Sequence, residues 1–361
     1  MKHAMSPCSA NWSKDVGLAS RRQLSPPDGK KCNPSVWTLR GSRRYRGVMK
    51  TIDYIYRFDP KNPSVKPPPE DGEVARKNLE SGNRLFAQWM KSCRTGTFSS
   101  GEPRYVVQCN GLEVGMVRSK GEIPQQAPFA VVIGCSDARV PMEMLFGQGF
   151  NDLFAIRVAG NVLADECWGS IDYALTALSE SIKVVVVLAH SGCGAVTAAV
   201  DAYLKPLKYS SAKTSFMLRS ILHRIFVPVH EAANGLTAVW GPDAPKMPGY
   251  REALIESSVC LNAALTAYSL HLEVERAWRT EVQVLYGVYD LFTHHVSMPP
   301  PGIQRDPNDD QVNLAYAPTH PREFDVLALE MAKRMRPIIT GETPVVEHAA
   351  MPDDKGLKDG G

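Results

Sequence analysis

The chain has 361 residues, 44% hydrophobic and 22% charged, with a formal net charge of +3. That balance fits an ordinary globular protein with a sizeable core and excludes a low-complexity or fibrous chain. No unbroken apolar run reaches the roughly 18 residues of a membrane span, the longest being "VVVVLA" at 184–189.

The charge is unevenly placed, because residues 1–50 carry eleven Lys and Arg against Asp15 and Asp28. Such an arm, with Ser and Pro but no hydrophobic periodicity, reads as disordered. It lacks the apolar stretch of a secretory signal. An organelle transit peptide is the minority reading, and Pro26, Pro27 and Pro34 would interrupt its amphipathic helix. The expectation is a cytoplasmic protein without membrane or nucleic-acid partners, since no recognised nucleic-acid module accompanies the charge. Eight cysteines, at 8, 32, 93, 109, 135, 167, 193 and 260, lack the density of a disulfide framework and read as reduced thiols.

The Pro-rich stretch 60–71, "PKNPSVKPPPED", is expected to be an extended linker. Residues 72–93 place Val74, Leu79, Leu85, Phe86, Trp89 and Met90 at roughly helical spacing broken by Gly82, which reads as one or two helices packing on a neighbour. Apolar strand-like runs follow at 129–134, 153–158, 184–189 and 282–288. They alternate with helical patterns at 164–181, 194–204, 215–233 and 250–271. This predicts an α/β fold with a mainly parallel β-sheet flanked by helices. Residues 203–250 read as an inserted helix and loop. After 297 the chain turns Pro- and Asp-rich, with one helical pattern at 324–335. The expected plan is a single catalytic domain at 71–297 between flexible extensions at 1–70 and 298–361.

In parallel α/β sheets, ligands bind at the carboxyl ends of the strands. The stretch "VVIGCSDARVP" at 131–141 puts Cys135 at one such end, and "HSGCGAV" at 190–196 puts His190 and Cys193 at another. Two thiolates and an imidazole suit zinc. Taken singly, a cysteine after a strand is more often a small buried hydrophobe. The shared position of the two motifs, each followed by a helix start, favours metal. Cys193 would gain thiolate stability from the helix N-terminus behind it. Asp137 and Arg139 read in two ways beyond a plain surface ion pair. Either Asp137 is the fourth zinc ligand, or Arg139 holds its carboxylate while water takes that position.

These motifs resemble the β-class carbonic anhydrases: "CSDARVP" and, 55 residues later, "HSGCGAV", with "SGNRLF" at 81–86, "DLFAIRVAGN" at 152–161 and "LYGVYDL" at 285–291. The resemblance covers residues 72–296. It implies one Zn²⁺ per chain held by Cys135, His190 and Cys193, with Asp137 and Arg139 as catalytic dyad. It also implies reversible hydration of CO2 to bicarbonate and a proton by zinc-bound hydroxide, and a homodimer or higher homo-oligomer. Gln126 matches a glutamine that bonds substrate, often across a dimer interface. Gly194 matches a backbone N–H near the substrate oxygen, and Phe154 and Tyr173 match the apolar CO2 pocket, for which core packing is the plainer alternative.

The chain departs from the family where Ala138 replaces a frequent serine and Gly192 a polar residue. "YDLFTHHV" also lacks a glycine common after the YD pair, so a different turn is expected there. His294 and His295 are proton-shuttle candidates by residue type alone. Two other readings are a COS or CS2 hydrolase on the same scaffold and a non-catalytic zinc or thiol-redox module.

Overall fold

In the computed structural model the residues described are 52–59, 67–97, 104–109, 121, 123–206, 215–278, 281–298 and 314–342. The basic arm, most of the Pro-rich stretch and the tail beyond 342 lie outside them, as do the expectations made for those segments.

Four strands share one parallel sheet: β3 (Ala130–Gly134), β4 (Leu153–Arg157), β5 (Val184–His190) and β6 (Gln283–Tyr289), in the order β4-β3-β5-β6. Two short strands, β7 (Val296–Ser297) and β8 (Ala315–Tyr316), pair antiparallel with β6. A separate parallel pair joins β1 (Asp53–Arg57) to β2 (Arg104–Gln108).

β3 and β5 are buried at every position. Their side chains still alternate between two cores. Val131, Ile133, Val185 and Val187 enter one, while Ala130, Val132, Val184, Val186 and Leu188 enter the other. Helices cover both faces, so polar alternation has no place to appear, and the near-continuous valine runs follow from that.

The second core holds Leu79 and Phe86 of α1 (Gly72–Thr95) and Met142 and Leu145 of α2 (Met142–Leu145). The first gathers Ile171 of α3 (Asp165–Ala177), Val196 of α4 (Gly194–Leu204), Leu222 of α5 (Phe216–Trp240), Leu254 of α6 (Tyr250–Glu273) and Met331 of α7 (Arg322–Arg334). α6 is apolar enough over its length to pass for a membrane span, but 78% of that window is buried inside the fold.

One open reading is decided here and two expectations change. α1 is one helix through Gly82, started by Asp71 accepting from the Val74 N–H at 2.8 Å and ended by Gly96 at φ 72°. Gly82 serves close approach: a Cβ there would lie 1.7 Å from the Phe146 carbonyl oxygen. The segment expected as an insertion supplies α5, which runs past Pro228 to Trp240 and buries Leu222, Ile225, Val229 and Leu236.

The packing also continues beyond the boundary expected at 297. β8 extends the sheet, and α7 crosses α5 so closely that a Cβ on Gly235 would meet the Ala328 carbonyl oxygen at 2.7 Å. The final helix, α8 (Arg336–Ile339), lies against the start of α6, where the Gly249 N–H donates to the Ile339 carbonyl at 3.3 Å. Leu314, Met331, Met335 and Ile339 are all buried. At roughly 1.5–3 kcal/mol for each side chain, they match much of the about 5–15 kcal/mol margin of a typical domain. A chain truncated after Met298 is therefore expected to lose cooperative thermal unfolding, measured by calorimetry; an unchanged transition would show that this segment is dispensable.

Candidate metal centre

Cys135 follows β3 directly, His190 is the last residue of β5, and Cys193 is the N-cap of α4. Because β3 and β5 are neighbours in register, with Gly134 opposite Leu188, both strand ends deliver their side chains to one place. The two sulfurs are 3.9 Å apart, and the three donor atoms lie within 4.8 Å of one another. Two thiolates at about 2.3 Å from one tetrahedral zinc would sit about 3.8 Å apart, so the observed spacing suits that ion. It is far longer than a disulfide, and both cysteines are free.

The histidine is prepared in the same sense. His190 is fully buried, and its Nδ1–H donates to the Ser191 carbonyl at 3.0 Å. That leaves the lone pair on Nε2, a buried atom with no hydrogen-bond partner. An unpartnered buried polar atom is costly unless something binds it. A metal ion answers that cost.

The two thiols share a contact in which either can donate, and the Gly160 N–H donates to Cys135 Sγ at 3.3 Å; these bonds lower the Cys135 thiol to about 4. Cys193 keeps its proton well above the usual thiol range, because ionising it would place two thiolates side by side. Only a cation would let both become thiolates. Gly160 can approach the sulfur because it takes φ 68°, with its carbonyl held by Asn262 Nδ2 at 2.8 Å.

Asp137 is engaged at both oxygens. Oδ1 accepts from the Arg139 backbone N–H and from Nε, each at 2.9 Å, and Oδ2 accepts from Nη2 at 2.6 Å. The Arg139 guanidinium holds this carboxyl at about 2. Asp137 Oδ2 still lies 3.8 Å from His190 Nε2, so the clamped carboxylate stays beside the donor set.

Sequence reasoning missed several supporting residues. Arg157, opposite Gly134 in the sheet, donates to the Asp137 carbonyl at 2.6 Å and the Cys135 carbonyl at 3.3 Å. Its place at the end of an apolar strand beside the Cys135 strand was the available signal. Glu256 on α6 accepts the Gly192 N–H at 3.0 Å, and burial pushes its carboxyl up to about 7. One acid within the apolar "LIESSVCLNAAL" was its only trace in the sequence.

The substrate-side residues are less gathered. Phe154 and Tyr173 approach with ring centroids 6.3 Å apart; Phe154 packs on the first core and Tyr173 is 50% exposed. Gly194 faces open space. Gln126 is exposed and makes no hydrogen bond among the described residues. A cavity of about 260 Å³ lies nearby in the fold, lined by Trp168, Arg224, Asn262 and Thr266 among others, but by none of these four. His294 is a packed residue: Tyr289 Oη is 2.8 Å from its Nδ1, Phe86 meets it edge-on, and burial lowers its pKa. It takes φ 66°, the left-handed conformation that glycine adopts freely, so the turn after Asp290 keeps a glycine-like backbone without a glycine.

A family model described as carbonic anhydrase matches residues 130–296, which include every donor and both members of the Asp137 and Arg139 pair. Residues 130–296 of this chain are thus similar to carbonic anhydrases. It is 41% identical over 118 residues to a carbonic anhydrase of Mycolicibacterium smegmatis, covering 32% of this chain and 53% of that one. To carbonic anhydrase 2 of Mycobacterium tuberculosis it is 39% identical over 129 residues, covering 36% and 53%. The chain thus spans about half the length of the curated relatives it matches. Among solved structures, a tetrameric β-carbonic anhydrase of Sordaria macrospora aligns with TM-score 0.37 and 22% identity, over 48% of this chain and 81% of that one. The matched segment stops at 296, before β8 and α7 complete the core.

Proposed function

We propose that this chain is a zinc carbonic anhydrase that interconverts CO2 and bicarbonate, with Cys135, His190 and Cys193 holding one zinc. The observation that carries the reading is Asp137 beside the donor set with both oxygens clamped by Arg139. A carboxylate so engaged is poorly placed to serve as a fourth ligand and well placed as a fixed acceptor. Zinc at this centre would supply the Lewis acidity that makes hydroxide available from water near neutral pH.

The chain's own residues then divide the remaining work. Asp137 accepts a hydrogen bond from the reacting water and aims it, and Arg139 keeps Asp137 ionised and in place. Gly194 is the first residue of α4, and its N–H is the donor assigned to a substrate oxygen. Phe154 and Tyr173 offer apolar surface, which suits CO2, an uncharged electrophile. Gln126 reaches substrate from a second protomer in a homodimer or larger homo-oligomer, a reading supported by its exposure.

Stopped-flow CO2 hydration by the zinc-loaded chain, run beside CS2 hydrolysis, tests this function. Fast CO2 turnover with slow or absent CS2 turnover is expected; the reverse preference would assign the chain to hydrolysis of CS2 or COS.

A further inference from the structure

We propose that Glu256 is a positioning residue for the metal centre, acting on His190 through the peptide group between Ser191 and Gly192. The proposal rests on reading His190 as a zinc ligand. That one peptide group is bonded at both ends: its carbonyl accepts the His190 Nδ1–H at 3.0 Å, and its N–H donates to Glu256 Oε1, also at 3.0 Å. A peptide group is planar and trans, so its C=O and N–H point in opposite directions and turn together. Fixing the N–H therefore fixes the acceptor that orients the imidazole, and with it the direction of the Nε2 lone pair.

The peptide needs such a restraint. Gly192 has φ 61°, and glycine accepts either sign of φ at little cost, so this unit can flip unless something outside the turn holds it. Other bonds fix the neighbouring atoms instead. The Ser191 N–H donates to the Tyr289 carbonyl at 2.9 Å, and Ser191 Oγ accepts the Leu291 N–H at 3.0 Å. Neither reaches the carbonyl of Ser191 or the N–H of Gly192. Glu256 comes from α6, whose residues are largely buried in the first core, and so ties the metal loop to that core.

Zinc affinity of the full chain, measured by competition with a chromophoric chelator, separates reach from charge. Glu256→Gln keeps an acceptor oxygen at the same reach and is expected to bind zinc within about threefold of wild type. Glu256→Asp keeps the charge but is one methylene short, and should bind about 10–100-fold more weakly, the usual cost of losing an outer partner of a metal ligand. Wild-type affinity in Glu256→Asp, or a loss in Glu256→Gln as large as in Glu256→Asp, overturns the proposal. So does a Glu256→Gln chain that fails to fold, because rescue by glutamine is what positioning requires. Proton NMR of the zinc-loaded wild type adds a test independent of the variants: a slowly exchanging His190 Nδ1–H is expected, and one that exchanges like an exposed imidazole contradicts the proposal. If wild type binds no zinc, the ligand assignment itself fails, a result distinct from all of these.

Discussion

Asp137→Asn is expected to keep one zinc per chain and to slow CO2 hydration by about 10²–10⁴-fold, the range lost when a positioned acid-base group is removed. The substitution preserves shape but replaces an acceptor that takes three bonds from Arg139 with an amide that has one oxygen and one NH2. The amide must aim its NH2 either at a guanidinium donor or at the reacting water, and both orientations break the acceptor geometry. The pH dependence follows from the shifted carboxyl. Its value in the fold is about 2, below its ordinary one, so Asp137 is ionised throughout the neutral and alkaline range. The deficit should therefore be constant from about pH 6 to 9 on the scale of ordinary carboxylate behaviour. Stopped-flow rates with metal content checked by mass spectrometry measure it, and an unchanged rate would refute the role given to Asp137.

Cys135→Ser is expected to remove zinc almost completely, with hydration falling to background. The Cys135 thiol is lowered to about 4 by its contact with Cys193 and by the Gly160 N–H, which donates to it. A serine hydroxyl of nearly the same size offers no anion there, so one of the two negative charges facing the cation is lost. The residue sits at a strand end, and the substitution barely alters volume, so the variant should melt close to metal-free wild type and below the zinc-loaded chain. Zinc content after dialysis against a chelator tests this. A full equivalent of zinc on the Cys135→Ser chain would remove Cys135 from the ligand set.

The sheet and the donor set were legible in the sequence for the same physical reason. Strands buried on both faces must be continuous apolar runs, and β3 and β5 are the clearest such runs in the chain. A chemistry-bearing residue at the end of such a run stands out, as Cys135 and His190 do. Gly82 left one helix or two open because glycine weakens a helix in isolation, whereas here the close passage of the Phe146 carbonyl requires it. Residues 215–240 and 314–342 looked peripheral because their periodicity shows an apolar face without showing what it meets. Only the packing of α7 on α5, and of β8 on β6, reveals a shared core.

The supporting bonds were illegible for a different reason. Arg157 acts on backbone carbonyls 20 and 22 residues away, and Glu256 on a backbone N–H 64 residues away. Backbone partners leave no side-chain pattern to match, so the sequence offers only a charged residue in an apolar run and not the atom it meets.

The central claim joins metal to chemistry at one centre, and a zinc titration of the metal-free chain tests it most directly. CO2 hydration, followed by stopped flow as zinc is added, should rise in proportion to bound metal and level off at one equivalent per chain. One zinc bound tightly with no acceleration of CO2 hydration at any pH from neutral to about 9 would contradict the account and leave a structural metal site in its place.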